Sequence, residues 1–112
     1  PVKKVKPQKR SVVLWDRMYT VLRYDAPPDE QIGPLEPRTM GMLDFDARKI
    51  HVRACPSPTE EIRTIIHELV HHALAEDYAK LSERRMGKMD GALVTDLEAF
   101  GVDLSPLLKG YK

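Results

Sequence analysis

Residues 67–72 read His-Glu-Leu-Val-His-His, which places one HExxH pattern from His67 to His71 in a stretch with helical apolar spacing. Two imidazoles four residues apart stand one turn apart on the same helix face, close enough to grip one metal ion. Glu68 is rotated about 60° from His71, which can turn its carboxylate toward a water beside that ion. Two nitrogen ligands and a general base are what zinc-assisted hydrolysis needs from a protein. At ordinary residue frequencies the three fixed positions match by chance in roughly one chain of this length in several hundred. The surroundings must therefore carry the rest.

A catalytic zinc ion takes three protein ligands and keeps a position for water. His72 points roughly 100° away from His71, so on an unbroken helix it reads as a surface or packing residue. His51 lies in a hairpin and reads as a surface-strand residue. Cys55, the single cysteine, reads as an ordinary thiol and cannot build a cysteine site alone. Four carboxylates of a second helix remain: Glu83, Asp90, Asp96 and Glu98. Relative to Leu97, Glu83 falls at about +40° and Asp90 at about +20°, within or beside the apolar face, with Asp96 and Glu98 about 100° to either side. A core-facing carboxylate is costly unless paired or metal-bound. Glu83 also sits in the first helical turn, where the dipole favours an acid, just after a reversal that returns the chain toward His71. Asp90 lies about 10 Å further along the axis, so both reach one ion only if the helix breaks, for example at Gly87. Glu83 leads as third ligand, and Asp90 and Glu98 are its alternatives.

The elements that must position these groups follow from pattern. Residues 11–24 are rich in β-branched and aromatic types and predict one long strand or two short ones. Residues 25–39 hold Pro27, Pro28, Pro34, Pro37 and Gly33 and predict a loop. Met40–Phe45 and Lys49–Ala54 predict a hairpin, with Ile50 and Val52 on one face of its second strand and His51 and Arg53 on the other. A helix then starts near Pro56, capped by Ser57 or Thr59, with Glu60 and Glu61 at its positive end. Its buried stripe is Ile62, Ile65, Ile66, Leu69 and Ala73, and it fades between Glu76 and Lys80. Ser82 caps a second helix whose apolar face is Met86, Met89, Leu93, Leu97 and Phe100. Gly87 and Gly91 weaken it by about 1 kcal/mol each relative to alanine. Gly101 and the Pro106 region end it.

Bulk composition is that of one soluble domain: 112 residues, 42% hydrophobic and 31% charged. Apolar stretches are too short to span a membrane, no signal peptide opens the chain, and one cysteine fits a reducing cytoplasm. The formal net charge of +1 hides an asymmetry, because residues 1–10 carry five of the 18 basic residues and no acid. They predict a basic, flexible arm ahead of a single domain over 11–112, with weak nucleic-acid contact as its one expected partner chemistry.

Gly41-Met-Leu-Asp44, Ile50-His-Val and Thr64-Ile-Ile-His-Glu-Leu-Val-His-His-Ala resemble the small gluzincin-type metallopeptidases of phages and prophages, which are similar in turn to ImmA/IrrE and SprT-like domains. The second helix matches as Ser82-Glu83, Met86, Met89 and Leu93, so the resemblance covers roughly residues 19–100. It implies a small zincin-like α+β fold, with N-terminal antiparallel strands and a hairpin followed by the HExxH helix and a second C-terminal helix. It also implies Zn²⁺ as cofactor, Glu83 as the acidic third ligand, a phage origin and a cytoplasmic setting. This chain departs from the pattern in His72, in the two helix glycines and in the basic arm.

The expected function is a small cytoplasmic zinc metalloprotease acting on a protein or peptide substrate. His67, His71 and Glu83 would hold the ion, Glu68 would act as general base, and the strand from Ile50 to Arg53 would pair with an extended substrate. Tyr78 is a candidate for stabilising the oxyanion. The alternative is a zincin-fold binding protein that cuts nothing, such as a phage inhibitor or adaptor acting on a host protein, with Met86 and Met89 on its interaction face.

Overall fold

The computed structural model of the chain describes residues 6–14, 16–74 and 82–112. Four strands come first: β1 (Gln8–Leu14), β2 (Arg17–Tyr24), β3 (Gly41–Asp44) and β4 (Lys49–Arg53). Two 17-residue helices follow, α1 (Pro58–Leu74) and α2 (Glu83–Ala99), and a 3₁₀ turn at Ser105–Leu108 closes the chain. The result is an α+β fold with a four-stranded mixed sheet in the order β1-β2-β4-β3.

Residues 11–24 resolve into two strands rather than one. β1 and β2 form an antiparallel hairpin that closes at the Leu14–Arg17 pair, and β3 and β4 form a second. The expectation of antiparallel strands fails between the hairpins, where β2 and β4 run parallel with Val21 opposite Ile50. Parallel neighbours need a crossover of a dozen or more residues, which the proline-rich loop and β3 together provide.

That loop is tightly held. Ile32 and Leu35 pair through their backbones and are 3% and 0% exposed. Arg53 is fully buried, and its guanidinium donates to the carbonyls of Pro27, Glu36 and Thr39. The loop thus roofs one face of the sheet, with Leu22, Tyr24 and Ala26 beneath it. This corrects the reading of His51 as a surface residue. It is buried under the roof, with Nδ1 2.9 Å from the Tyr24 hydroxyl.

On the opposite face Ile50 and Val52 pack with Tyr19, Val21 and Ile65 of α1. Ser57 caps α1 by accepting from the Glu60 N–H. Glu61 does more than suit the dipole: it is buried, pairs with Arg23 through both oxygens and accepts the Cys55 N–H. Ile62 and Ile66 meet Val94 of α2 in a third cluster.

Ser82 caps α2 through the Arg85 N–H. The buried stripe of α2 is Met86, Asp90 and Val94, while Met89, Leu93 and Phe100 are exposed. The expected stripe therefore keeps Met86 and, in part, Leu97, but its middle runs through Asp90 and Val94 in place of Met89 and Leu93. Gly101, at φ 84°, ends the helix, its own N–H returning to the Glu98 carbonyl and that of Val102 to the Leu97 carbonyl.

Residues 8–10, placed by composition in the basic arm, belong to β1. Lys9 exchanges both backbone bonds with Lys112, and the Arg10 guanidinium holds the Pro106 and Lys109 carbonyls. No helix among the described residues is long and apolar enough to cross a membrane.

Candidate metal centre

The third turn of α1 turns His67 and His71 toward the start of α2, with their Nε2 atoms 3.1 Å apart. The Ser82 cap fixes where α2 begins, and Glu83 follows it directly. Its Oε2 lies 2.9 Å from His67 Nε2 and its Oε1 3.3 Å from His71 Nε2. A tetrahedral zinc site with bonds of about 2.0–2.1 Å has ligand-to-ligand edges of about 3.3 Å. The 3.1 Å between the two Nε2 atoms lies near that figure, Glu83 faces them with one oxygen each, and two imidazoles with one carboxylate are a donor set zinc accepts. His67, Glu68 and His71 also bring one donor atom each within 4.8 Å of one another. Glu83, rather than Glu68, suits the third position because its two oxygens face both Nε2 atoms.

Asp90 is not at that edge. It is buried and its Oδ2 accepts from Nδ1 on the far side of the His67 ring. An ionised carboxylate can only accept there, so Nδ1 carries a proton; Nε2 faces Glu83 in the same way without a metal, and a metal bound at Nε2 would take the place of the proton on that side. Glu83 and Asp90 thus reach the two nitrogens of one imidazole from an unbroken helix, and no break at Gly87 is needed. Glu98 and Asp96 are exposed and take no part. A carboxylate behind the histidine went unrecognised in sequence, although Asp90's inward direction and its seven-residue spacing from Glu83 were both visible there.

Glu68 is 4% exposed and its Oε2 has no hydrogen-bond partner. Burial raises its pKa to about 7, against the pull of His67 and with a push from Glu83 and Asp90. Burial opposes charge on His67 as well, yet the Asp90 hydrogen bond and the surrounding carboxylates hold its pKa above the usual value. Burial and the neighbouring His67 lower that of His71.

One glycine brings the sheet edge to this helix. A Cβ at Gly41 would lie 2.8 Å from Thr64 Cγ2 and 3.2 Å from Glu68 Cγ, so only glycine lets β3 approach so closely. β3 is the outer strand, whereas β4 is bonded on both sides. The expectation that Ile50–Arg53 would accept an added strand is therefore corrected: the edge beside the metal centre belongs to β3. Hollows of about 320 and 330 Å³ open on the two sides of His67, Glu68 and Glu83.

His72 turns away from the centre, edge-on to Tyr19 at 5.0 Å between ring centroids and stacked on Phe45 at 6.4 Å. Cys55 is half-buried near the start of α1. Tyr78 lies outside the described residues. No protein-family model matches the chain, and no curated protein or solved structure matches it significantly.

Proposed function

We propose that this chain is a small zinc metalloprotease, with His67, His71 and Glu83 as metal ligands and Glu68 as general base. One observation carries the reading: the two Nε2 atoms of α1 and both carboxylate oxygens of Glu83 on α2 converge beside the buried Glu68, whose Oε2 has no hydrogen-bond partner.

Zinc, when bound, supplies a Lewis acid for the scissile carbonyl and a water acidified toward neutrality. Glu68 would accept a proton from the attacking water as the water oxygen bonds to the carbonyl carbon, and would give it to the amine as the C–N bond breaks. Asp90 keeps the His67 ring in the metal-binding tautomer. An extended peptide added to the β3 edge runs past Glu68, because Gly41 sets that edge against the helix.

A second reading has its own observation. Met89, Leu93 and Phe100 are 49%, 42% and 89% exposed on the outer side of α2, and such a face suits a partner protein. Under that reading the fold and metal remain while nothing is cut. The two separate on a peptide library with zinc-loaded protein: the proposal expects cleavage by the parent and none by Glu68→Gln at equal zinc content. Equal cleavage by both would remove the general base. Absence of cleavage, with one protein binding parent and variant equally well, would favour the second reading.

A further inference from the structure

Gly87 and Gly91 stand in the middle of α2, and a Cβ built on either meets no atom within 4 Å. Neither has a positive φ, so neither is required by the backbone. Each costs the helix about 1 kcal/mol relative to alanine, with no packing reason inside the fold. Their surroundings differ. Gly91 borders no cavity described above, whereas Gly87 lies in the wall of the hollow of about 320 Å³ on one side of the metal centre. Residues 83, 87 and 90 share one helix face, so a side chain at 87 would project across the mouth between Glu83 and Asp90.

The chemistry of that hollow is one-sided. Glu60, Glu68, Glu83 and Asp90 contribute carboxylates to its wall, against the guanidinium of Arg63 and the ring of His67. Arg63 and Glu60 form only a loose, exposed pair at 3.8 Å. Asp90 is 2% exposed, and its Oδ1 has no hydrogen-bond partner. A buried anionic acceptor without a donor is costly, and a cation is the ligand that relieves it most. The hollow on the other side of the centre is bordered instead by Met42, Leu43 and Phe45. Two unlike hollows flank one centre.

We propose that Gly87 opens a subsite that takes a lysine or arginine side chain of the bound peptide, its stem crossing the bare helix at Gly87 and its cation meeting Glu60 and Asp90. The proposal rests on the metalloprotease reading for the peptide's path, but its test reads binding and not turnover. Zinc-loaded protein would be titrated with acetyl-Ala-Lys-Ala-amide and acetyl-Ala-Leu-Ala-amide and followed by amide NMR shifts. The parent should bind the lysine peptide at least tenfold more tightly. Gly87→Leu should weaken it about tenfold, Gly87→Ala should weaken it less, and Gly91→Leu should leave it within twofold. Gly87→Leu, Gly87→Ala and Gly91→Leu should all resist denaturant better than the parent, which shows that they fold.

Equal affinity for the two peptides, no binding of either, or equal losses in Gly87→Leu and Gly91→Leu would each overturn the subsite. Lysine-peptide binding that is sensitive to position 87, in a protein that cleaves nothing, would keep the subsite and remove the protease. Cleavage indifferent to lysine and to position 87 would do the reverse.

Discussion

Two histidines lie on opposite faces of the sheet in unlike company, His51 buried and His67 half-buried. His51 sits under the proline-rich loop with Tyr24 as its hydrogen-bond partner, and the neighbouring Arg53 gives its guanidinium to three loop carbonyls. His67 sits between the helices with Asp90, Glu83 and His71 around it. Among the described residues that are not exposed, the two buried side-chain oxygens without a partner belong to Glu68 and Asp90, both on the helix side. Burying polar groups with their bonds complete holds a loop in place, whereas leaving acceptors unpaired stores a capacity to bind. The loop side is structural by this measure, and the helix side is where stability is given up for a site.

The largest expected effect lies on the structural side. Arg53→Ala should remove three charge-assisted hydrogen bonds to the loop and empty a fully buried position, costing at least about 3 kcal/mol, read as a fall in the urea midpoint. On the helix side the sign should reverse. Glu68→Gln removes a desolvated carboxylate and should raise stability by about 0.5–2 kcal/mol in metal-free protein. A loss there of the size seen for Arg53→Ala would erase the contrast between the two faces.

Zinc affinity sharpens the comparison within the site. Competition against a chromophoric chelator should place His67→Ala, His71→Ala and Glu83→Ala as the deepest losses, because each removes a ligand. Asp90→Asn should lose about 10–100-fold, the usual cost of removing a carboxylate behind a metal-binding histidine. Glu98→Ala should match the parent.

The smallest effect concerns His51. Burial, helped by Lys49, holds its pKa below the usual value. The unfolded chain therefore takes up the proton first as pH falls. Its contribution to stability is complete above about pH 6.5 and declines as pH drops toward the lowered folded pKa. Subtracting the pH–stability curve of His51→Gln from that of the parent should isolate this acid-side decline. A flat difference would mean that His51 stays solvated in the folded protein.

The same contrast explains what could be read from sequence. Ser57 and Ser82 announce their helices because capping is local chemistry. Ile62, Ile65 and Ile66 announce the core stripe because the period of a helix is fixed. His51 was misplaced because alternation along a strand assumes a wet face, and β4 has none: α1 covers one side and a loop of polar and proline residues covers the other. The middle of the α2 stripe was misplaced for a related reason. Its buried line runs Met86, Asp90, Val94, and hydrophobic spacing discards an aspartate at the centre of a core face in favour of Met89 and Leu93. The place of Glu83 beside His67 was legible because it follows a cap directly, but the inward direction expected of it fails, since its side chain is 74% exposed. Asp90's partnership with Nδ1 was not, since it depends on the distance between two helices. Function distorts the apolar pattern where a carboxylate must be buried.

The central claim is that His67, His71 and Glu83 hold one zinc ion. Zinc-edge X-ray absorption of the zinc-loaded protein tests it most directly, comparing the parent with Glu83→Ala. The account predicts a four-coordinate nitrogen and oxygen shell with two imidazoles at about 2.0 Å in the parent, and loss of the carboxylate contribution or of the metal itself in Glu83→Ala. A sulfur ligand, a single imidazole, or a spectrum unchanged by Glu83→Ala would contradict it.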